Sequence, residues 1–392
     1  MTHYYDYSRN RPLVLWIAAL ASHKSPLEVI EIAKALPAMD FVMIGSPWDA
    51  SLLEQLMKER ASNVHYLGPV SDRKKKELIR RSSVGITTSK YEGFGWTPFE
   101  FLTAGKPVLA YPLNVFREIY GDALIYANDI NAFIRKLTEL RRKGFESRVD
   151  SSELGRLRRR WNLDRAVSRI VKVLHIESVV ILTRDWPSNS NMILGCDLIN
   201  WKLWKRISDL GVPLQIFANG TRYARRFHLS SRTTTVSQRL TSLKRIRNTM
   251  NKTSQKTWDS ELSAIKGKHK VTAMLLDLTL RVFEPFCYLL TYVKKRERPP
   301  SNNIIASEVS TAVAGLIIKL IFGSRLFCLV HDTDFYDRGL REASIPTRVY
   351  YMIFVNCLRH ADRIIAVSSE TKTNLSRFCP DTSKIIVLWE PE

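Results

Sequence analysis

Short, β-rich apolar runs recur along this chain, spaced so that a helix fits between each pair. In the first half they are LVLWIAAL (13–20), FVMIG (41–45), VHYLG (64–68), VGITT (84–88), PVLAY (107–111) and ALIYA (123–127). The second half repeats the rhythm with VVILT (179–183), LQIFA (214–218), NIIAS (303–307), LFCLV (326–330), RIIAV (363–367) and KIIVL (384–388). A strand with one solvated face alternates apolar and polar residues, whereas a strand apolar throughout needs helices on both sides. The pattern predicts α/β architecture with parallel sheets. At 392 residues the chain exceeds what one hydrophobic core usually supports, so two doubly wound, Rossmann-like domains are expected. The boundary falls in RRWNLDRAVSRIVKVLHIES (159–178), read as a helix and a short linker, which gives domains 1–175 and 176–392.

Charge is the second constraint. The formal net charge is +22, and residues 221–300 hold 18 Lys and Arg against 5 Asp and Glu. A concentrated positive field seeks phosphate: nucleic acid, anionic lipid or a phosphorylated ligand. No nucleic-acid motif accompanies the charge and aromatic residues do not alternate with it, so nucleic acid is disfavoured. The basic, Ser- and Thr-rich stretch 221–270 departs from the strand rhythm and reads as an insertion. In the following VTAMLLDLTLRVFEPFCYLLTYVKKRER, Asp277, Arg281 and Glu284 share one narrow helical face. Two readings stay open there: a helix packed on its own sheet, or one partly inserted into a membrane interface. No apolar run approaches 18 residues, which disfavours a membrane span. MTHYYDYSRNRP has no apolar signal core, so the expected location is cytoplasmic, with peripheral contact to an anionic membrane through 221–300. The five cysteines (196, 287, 328, 357 and 379) lack metal-type spacing and read as buried thiols.

The chemistry concentrates in TSKYEGFGWTPFEFLTAGKPVLA (87–109). A strand leads into a turn with Gly93 and Gly95, then a helix from about Thr97. Glycines let backbone N–H groups approach a ligand, and a helix N-terminus favours negative charge. Glu92 precedes the helix and Glu100 lies in its first turns, so both carboxylates can reach one cleft. Carboxylates accept strong hydrogen bonds from sugar hydroxyls. The bare spacing is common by chance, and a cap residue plus a solvated helix residue would explain it equally well.

YEGFGWTPFEFLTAGKPVLA resembles the E-x7-E signature of the retaining GT-B glycosyltransferases of family 4, the glycosyl transferases group 1. LVLWIAALASHKSPLEVIEIAKALP, FVMIGS, NVHYLGPVSDRKKKELIRRSSVGITTS, NVFREIYGDALIY and RRWNLDRAVSRIVKVL resemble segments of that family's donor-binding domain, in order. RDWPSNSNMILGCDLINWKLWKRISDLGVPLQIFA, LFCLVHDTDFYDRG and RHADRIIAVSSETKTNLSRFCPDTSKIIVLWE resemble its acceptor-binding domain. The resemblance covers most of 12–392 except 221–270. It implies GT-B, two Rossmann-like domains facing a cleft, with the usual order inverted: a circular permutation, or a fusion of two half-enzymes.

By that resemblance Glu92 holds a hydroxyl of the transferred sugar and Glu100 the nucleotide ribose. Backbone N–H groups around Gly93, Phe94 and Gly95 contact sugar and phosphate, and Lys24 binds the diphosphate. His331, followed by Asp332, faces the donor near the reacting carbon and joins Glu92 as a catalytic residue. Gly195 belongs to a loop over the phosphates, with Leu194 where a second glycine is common. The family usually has an arginine where this chain has Ala19, so one phosphate-neutralising charge is missing. The implied function is hexosyl transfer from a UDP- or GDP-linked sugar to a glycan or lipid-linked acceptor, with retention and without a cofactor or catalytic metal. The alternative is a non-catalytic sugar-nucleotide-binding subunit that supports another transferase.

Overall fold

The computed structural model describes residues 11–47, 49–147, 149–183, 195–218, 233–235, 285, 288–290, 292–293, 302–331, 333 and 345–389. The first domain runs β1 (Leu13–Ile17), α1 (Pro26–Ala35), β2 (Asp40–Ile44), α2 (Ala50–Glu59), β3 (Val64–Tyr66), α3 (Asp72–Arg81), β4 (Val84–Thr87), α4 (Trp96–Thr103), β5 (Val108–Ala110), α5 (Asn114–Tyr120), β6 (Ile125–Tyr126), α6 (Ile130–Lys143) and α7 (Ser151–Arg160). Its six strands pair in parallel in the order β3-β2-β1-β4-β5-β6. Strands β1, β2 and β4 are buried almost throughout, as their unbroken apolar composition requires.

Local sequence signals set the helix ends. Ser71 caps α3, its hydroxyl accepting from the Lys74 N–H at 3.2 Å; Asp129 caps α6 through the Ala132 N–H at 2.7 Å. Residues Ala132, Phe133 and Leu137 line the buried side of α6 while its charged side faces solvent.

Helix α8 (Leu163–Val173) bridges the two domains. It packs against α9 (Gly195–Asp209) of the second domain, helped by an ion pair between Asp164 and Arg206. The Arg169 guanidinium donates to the Val387 carbonyl at 3.3 Å. The second domain continues with β7 (Val179–Thr183), β8 (Leu214–Ala218), β9 (Thr233–Thr235), β10 (Asn303–Ala306), α10 (Val309–Phe322), β11 (Arg325–Val330), α11 (Ile345–His360), β12 (Arg363–Ala366), α12 (Ser369–Ser376) and β13 (Ile385–Val387). Its sheet is parallel as well, in the order β13-β12-β11-β10-β7-β8-β9. These are two doubly wound Rossmann-like domains.

Each apolar run named from the sequence contains a strand. The strand β9 lies inside the basic stretch and carried no apolar signal: it is three threonines, β-branched but polar. The rest of 221–270, and the long helix expected over 271–298 apart from six of its residues, fall outside the described residues. Cys328, Cys357 and Cys379 are buried free thiols, and burial pushes the Cys357 thiol up to about 11. Among the described residues, no helix is long and apolar enough to cross a membrane.

Candidate functional site

Sheet order determines where a ligand can sit. In the first sheet the chain winds outward in both directions from β1 and β4, so the switch point lies between these adjacent strands. The loops leaving their carboxyl ends, 18–25 and 88–95, carry Lys24, Glu92, Gly93, Phe94 and Gly95. They are laced together: the Lys90 N–H donates to the His23 carbonyl at 2.8 Å, and the Thr88 hydroxyl to the Lys24 carbonyl at 2.7 Å. Buried Trp16 on β1 in turn donates its indole N–H to the Thr88 hydroxyl at 3.1 Å. Strand, loop and loop thus form one rigid mouth.

At its centre the Lys24 ammonium lies 2.7 Å from a Glu92 carboxylate oxygen, the two side chains 17% and 18% exposed. The Ser89 hydroxyl donates to the same oxygen at 2.8 Å and is itself tied to Thr87. Glu100 on α4 is held separately, its carboxylate 2.6 Å from the Lys75 ammonium of α3. The expected donor-site residues therefore gather at one end of the sheet, in two ion pairs.

The backbone of 93–95 is set by packing. Gly95 is the N-cap of α4 at φ +79°, in the left-handed region, and a Cβ there would lie 2.3 Å from Phe116. The buried Tyr120 hydroxyl donates to the Gly95 carbonyl. Phe94 is buried, and its ring stacks on Trp96 at 4.2 Å with Trp161 and Trp389 at 5.5 and 5.6 Å. Only the backbone of Phe94 is available to a ligand; its side chain anchors the loop. Trp389 comes from the second domain, just past β13, so the aromatic cluster ties the glycine loop to the other half of the molecule.

The second domain presents His331 at the end of β11. Its Nε2 donates to the Asn200 amide oxygen of α9 at 2.7 Å, which fixes Nδ1 as the unprotonated nitrogen. Burial pushes the imidazole down to about 4, so it is neutral at physiological pH. Gly195 is the first residue of the same helix, and Asp332 and Leu194 lie outside the described residues.

Two further contacts bring the carboxyl edges of the sheets together. Tyr91, the residue before Glu92, accepts from the buried Thr333 N–H at 2.6 Å and shares a 2.9 Å hydrogen bond with the Thr333 hydroxyl. Glu118 of α5 accepts from the Ser369 and Glu370 N–H groups at 2.9 and 3.1 Å, capping α12 from across the domain boundary. The site thus lies between the loop after β4 and the loop after β11. Asn200, Thr333, Glu118 and Trp389 were not singled out from the sequence. Among the described residues, no group of three or more His, Cys, Asp or Glu could hold a metal ion.

Residues 7–158 match the family model of the glycosyl transferases group 1. That span, under half of the chain, holds β1, β4 and the Lys24–Glu92 pair. Solved structures similar to the chain include AviGT4, a glycosyltransferase involved in avilamycin A biosynthesis, at 19% identity and TM-score 0.33, over 42% of this chain and 53% of that one. Anabaena Alr3699/HepE in complex with UDP and glucose is similar at 17% identity and TM-score 0.37, over 42% and 48%. TarM is similar at 18% identity and TM-score 0.35, over 42% and 35%. The chain spans about half or less of the length of these proteins. No curated protein matches it.

Proposed function

We propose that this protein is a glycosyltransferase of the retaining family 4 type that transfers a hexose from a UDP- or GDP-linked donor, with the donor domain placed first by circular permutation. The observation that carries the reading is the Lys24–Glu92 pair at the switch point of the family-matched domain, opposite His331. A nucleotide sugar supplies a better partner to each member: diphosphate oxygens for Lys24 and a sugar hydroxyl for Glu92. Lys24 then stabilises charge that grows on the leaving diphosphate as the glycosidic bond breaks. The backbone N–H groups at 93–95 and the N-terminus of α4 add positive potential where Ala19 leaves a cation missing. Glu100, steered by Lys75, receives the ribose. Neutral His331 offers Nδ1 as an acceptor for a sugar hydroxyl, while Asn200 holds the ring still. Gly195, at the start of α9, contributes to the phosphate end of the cleft. The acceptor is read as lipid-linked, attracted by the basic segment 221–270.

Ala19, together with a Lys24 already neutralised by Glu92, favours one alternative: a sugar-nucleotide-binding subunit without activity of its own. Calorimetric titration of the wild type and Glu100→Ala with UDP-, GDP- and ADP-sugars tests the cleft. A micromolar response to one donor that collapses in the variant supports it, and silence across the panel overturns it. Donor hydrolysis or transfer by the purified protein then separates enzyme from subunit.

A further inference from the structure

The outer side of the second domain breaks the usual rule for surface helices. A helix lying on a sheet buries one apolar stripe and turns polar residues outward. Helix α10 buries Ala312, Ala314 and Ile318 against the sheet and packs Val313 and Leu316 partly against the same core, yet its last turns carry apolar Ile317, Leu320 and Ile321 as well. Ile317, Leu320 and Ile321 are spaced i, i+3 and i+4 and share one face. Leu320 is 75% exposed, with Ile321 exposed beside it.

Helix α11 packs alongside α10 and continues the surface. Its outward residues Val349, Met352 and Ile353 repeat the same spacing, and Met352 is 68% exposed. On the other flank Tyr292 places its ring 5.6 Å from that of Phe322, at the end of α10, and exposes Leu290 and Val293 to solvent. Bulky aliphatic side chains are thus exposed on adjacent elements, a larger patch than the isolated exposed residues that any surface carries.

We propose that this face of α10 and α11 docks on an anionic lipid bilayer. The charges favour that occupant over a second copy of the chain. Neither helix contains Asp or Glu; their basic residues are Lys319, Arg348, Arg359 and His360. A two-fold interface would set this face against itself, cation opposite cation, with no acid on either helix to answer it. A bilayer of anionic lipid supplies what both parts of the face lack: negative charge for the basic residues and an apolar boundary for the ridge. Lys319 is partly neutralised by Asp362 at 2.8 Å, whereas exposed Arg348 and Arg359 flank the apolar ridge on α11.

The docked orientation bears on the cleft. Helices that follow parallel strands begin at the carboxyl edge of the sheet, so the first turns of α11 lie on the side of His331 and Tyr91. Val349 lies in the first half of that helix and Met352 and Ile353 at its middle, whereas Leu320 and Ile321 lie in the last turn of α10, so the face runs along the side of the domain and the cleft mouth opens beside the membrane surface. The proposal rests on the lipid-linked acceptor reading for its purpose, but its test needs no activity.

The test is co-sedimentation of the full chain with phosphatidylcholine vesicles, with and without phosphatidylglycerol, for the wild type and for Leu320→Ser/Met352→Ser. Binding that needs phosphatidylglycerol and falls about tenfold in the double variant supports the proposal. Unchanged melting and donor titration of that variant show that its fold is intact. Wild-type protein that ignores both vesicles overturns it, as does a double variant that binds like the wild type, which would assign binding to 221–270. Sedimentation equilibrium that finds a dimer dissolved by the same substitutions, without vesicle binding, assigns the face to a second copy and also overturns it. Donor binding without vesicle binding leaves the transferase reading standing, and vesicle binding without donor binding leaves the docking face standing.

Discussion

The ammonium of Lys24 and the carboxylate of Glu92 meet 2.7 Å apart on two loops that flank the switch point of the first sheet. Each is the only partner within salt-bridge distance of the other among the described residues. Removing one member leaves a mostly buried charge with its counter-charge gone, whereas removing both leaves two neutral groups. Lys24→Ala and Glu92→Gln should each cost about 1–3 kcal/mol of stability, and the double variant should recover most of that. Donor affinity should not recover, because the proposed function makes both side chains contacts of the donor. Melting curves and calorimetric titration of the three variants check this, and additive stability losses would show that the pair is not a functional unit.

Gly95 is where a single methyl group should do most damage in the glycine turn. The left-handed backbone and a contact of 2.3 Å with Phe116 act together. Gly95→Ala is expected to cost about 2 kcal/mol or more and to weaken donor binding, since the backbone N–H groups at 93–95 must shift. Gly105→Ala is the control. It has a similar φ of +71° but nothing within 4 Å of the added carbon, so its loss should be smaller. Equal losses at the two positions would mean that the contact with Phe116 is relieved without cost.

His331 makes stability depend on pH. Burial holds its folded value near 4 against an ordinary 6.5, so the unfolded chain takes up the proton first. Its contribution is complete above pH 6.5 and is lost as pH falls from there to about 4. His65 is also held down, chiefly by burial, and adds a slope of the same sign. The informative quantity is therefore the difference between wild type and His331→Gln. The variant should flatten the stability-against-pH curve between pH 4 and 6.5 and leave it parallel above. Curves parallel throughout would place the imidazole in contact with water.

The strands other than β9 were legible because each is built on a run of consecutive apolar residues, and the glycine-spaced carboxylates because their chemistry lies within a few consecutive residues. Contacts that join distant segments left no local signal. Glu118 reads as an ordinary helix residue until α12 brings its N-terminus against it, and Trp389 follows the final strand with nothing to show that it completes an aromatic cluster around Phe94. Phe94 shows the limit from the other side: the resemblance assigns its backbone N–H to the ligand, and nothing local shows that its ring is committed to packing. Asn200 was hidden because one polar residue in a helical pattern is ordinary. Only the fold reveals that it orients His331.

The last prediction concerns the Tyr91–Thr333 contact, which spans the two carboxyl edges beside Glu92 and His331. Thr333 is only 2% exposed, so its N–H has little access to water once the Tyr91 hydroxyl is removed. Tyr91→Phe keeps the ring and deletes that acceptor, a change worth about 1–3 kcal/mol to the closed arrangement. The contact lies outside the hydrophobic core that the two domains share and outside the core each keeps to itself, so the melting temperature should fall little. The loss should appear where the domains meet. Hydrogen exchange in residues 88–95 should accelerate, and turnover, once a donor is known, should drop about tenfold with donor affinity changed much less. Thr333→Val retains the N–H and loses only the hydroxyl, so it should give a fraction of the effect. If Tyr91→Phe lowers donor affinity as strongly as Lys24→Ala does, Tyr91 is a direct donor contact and the clasp has no separate role.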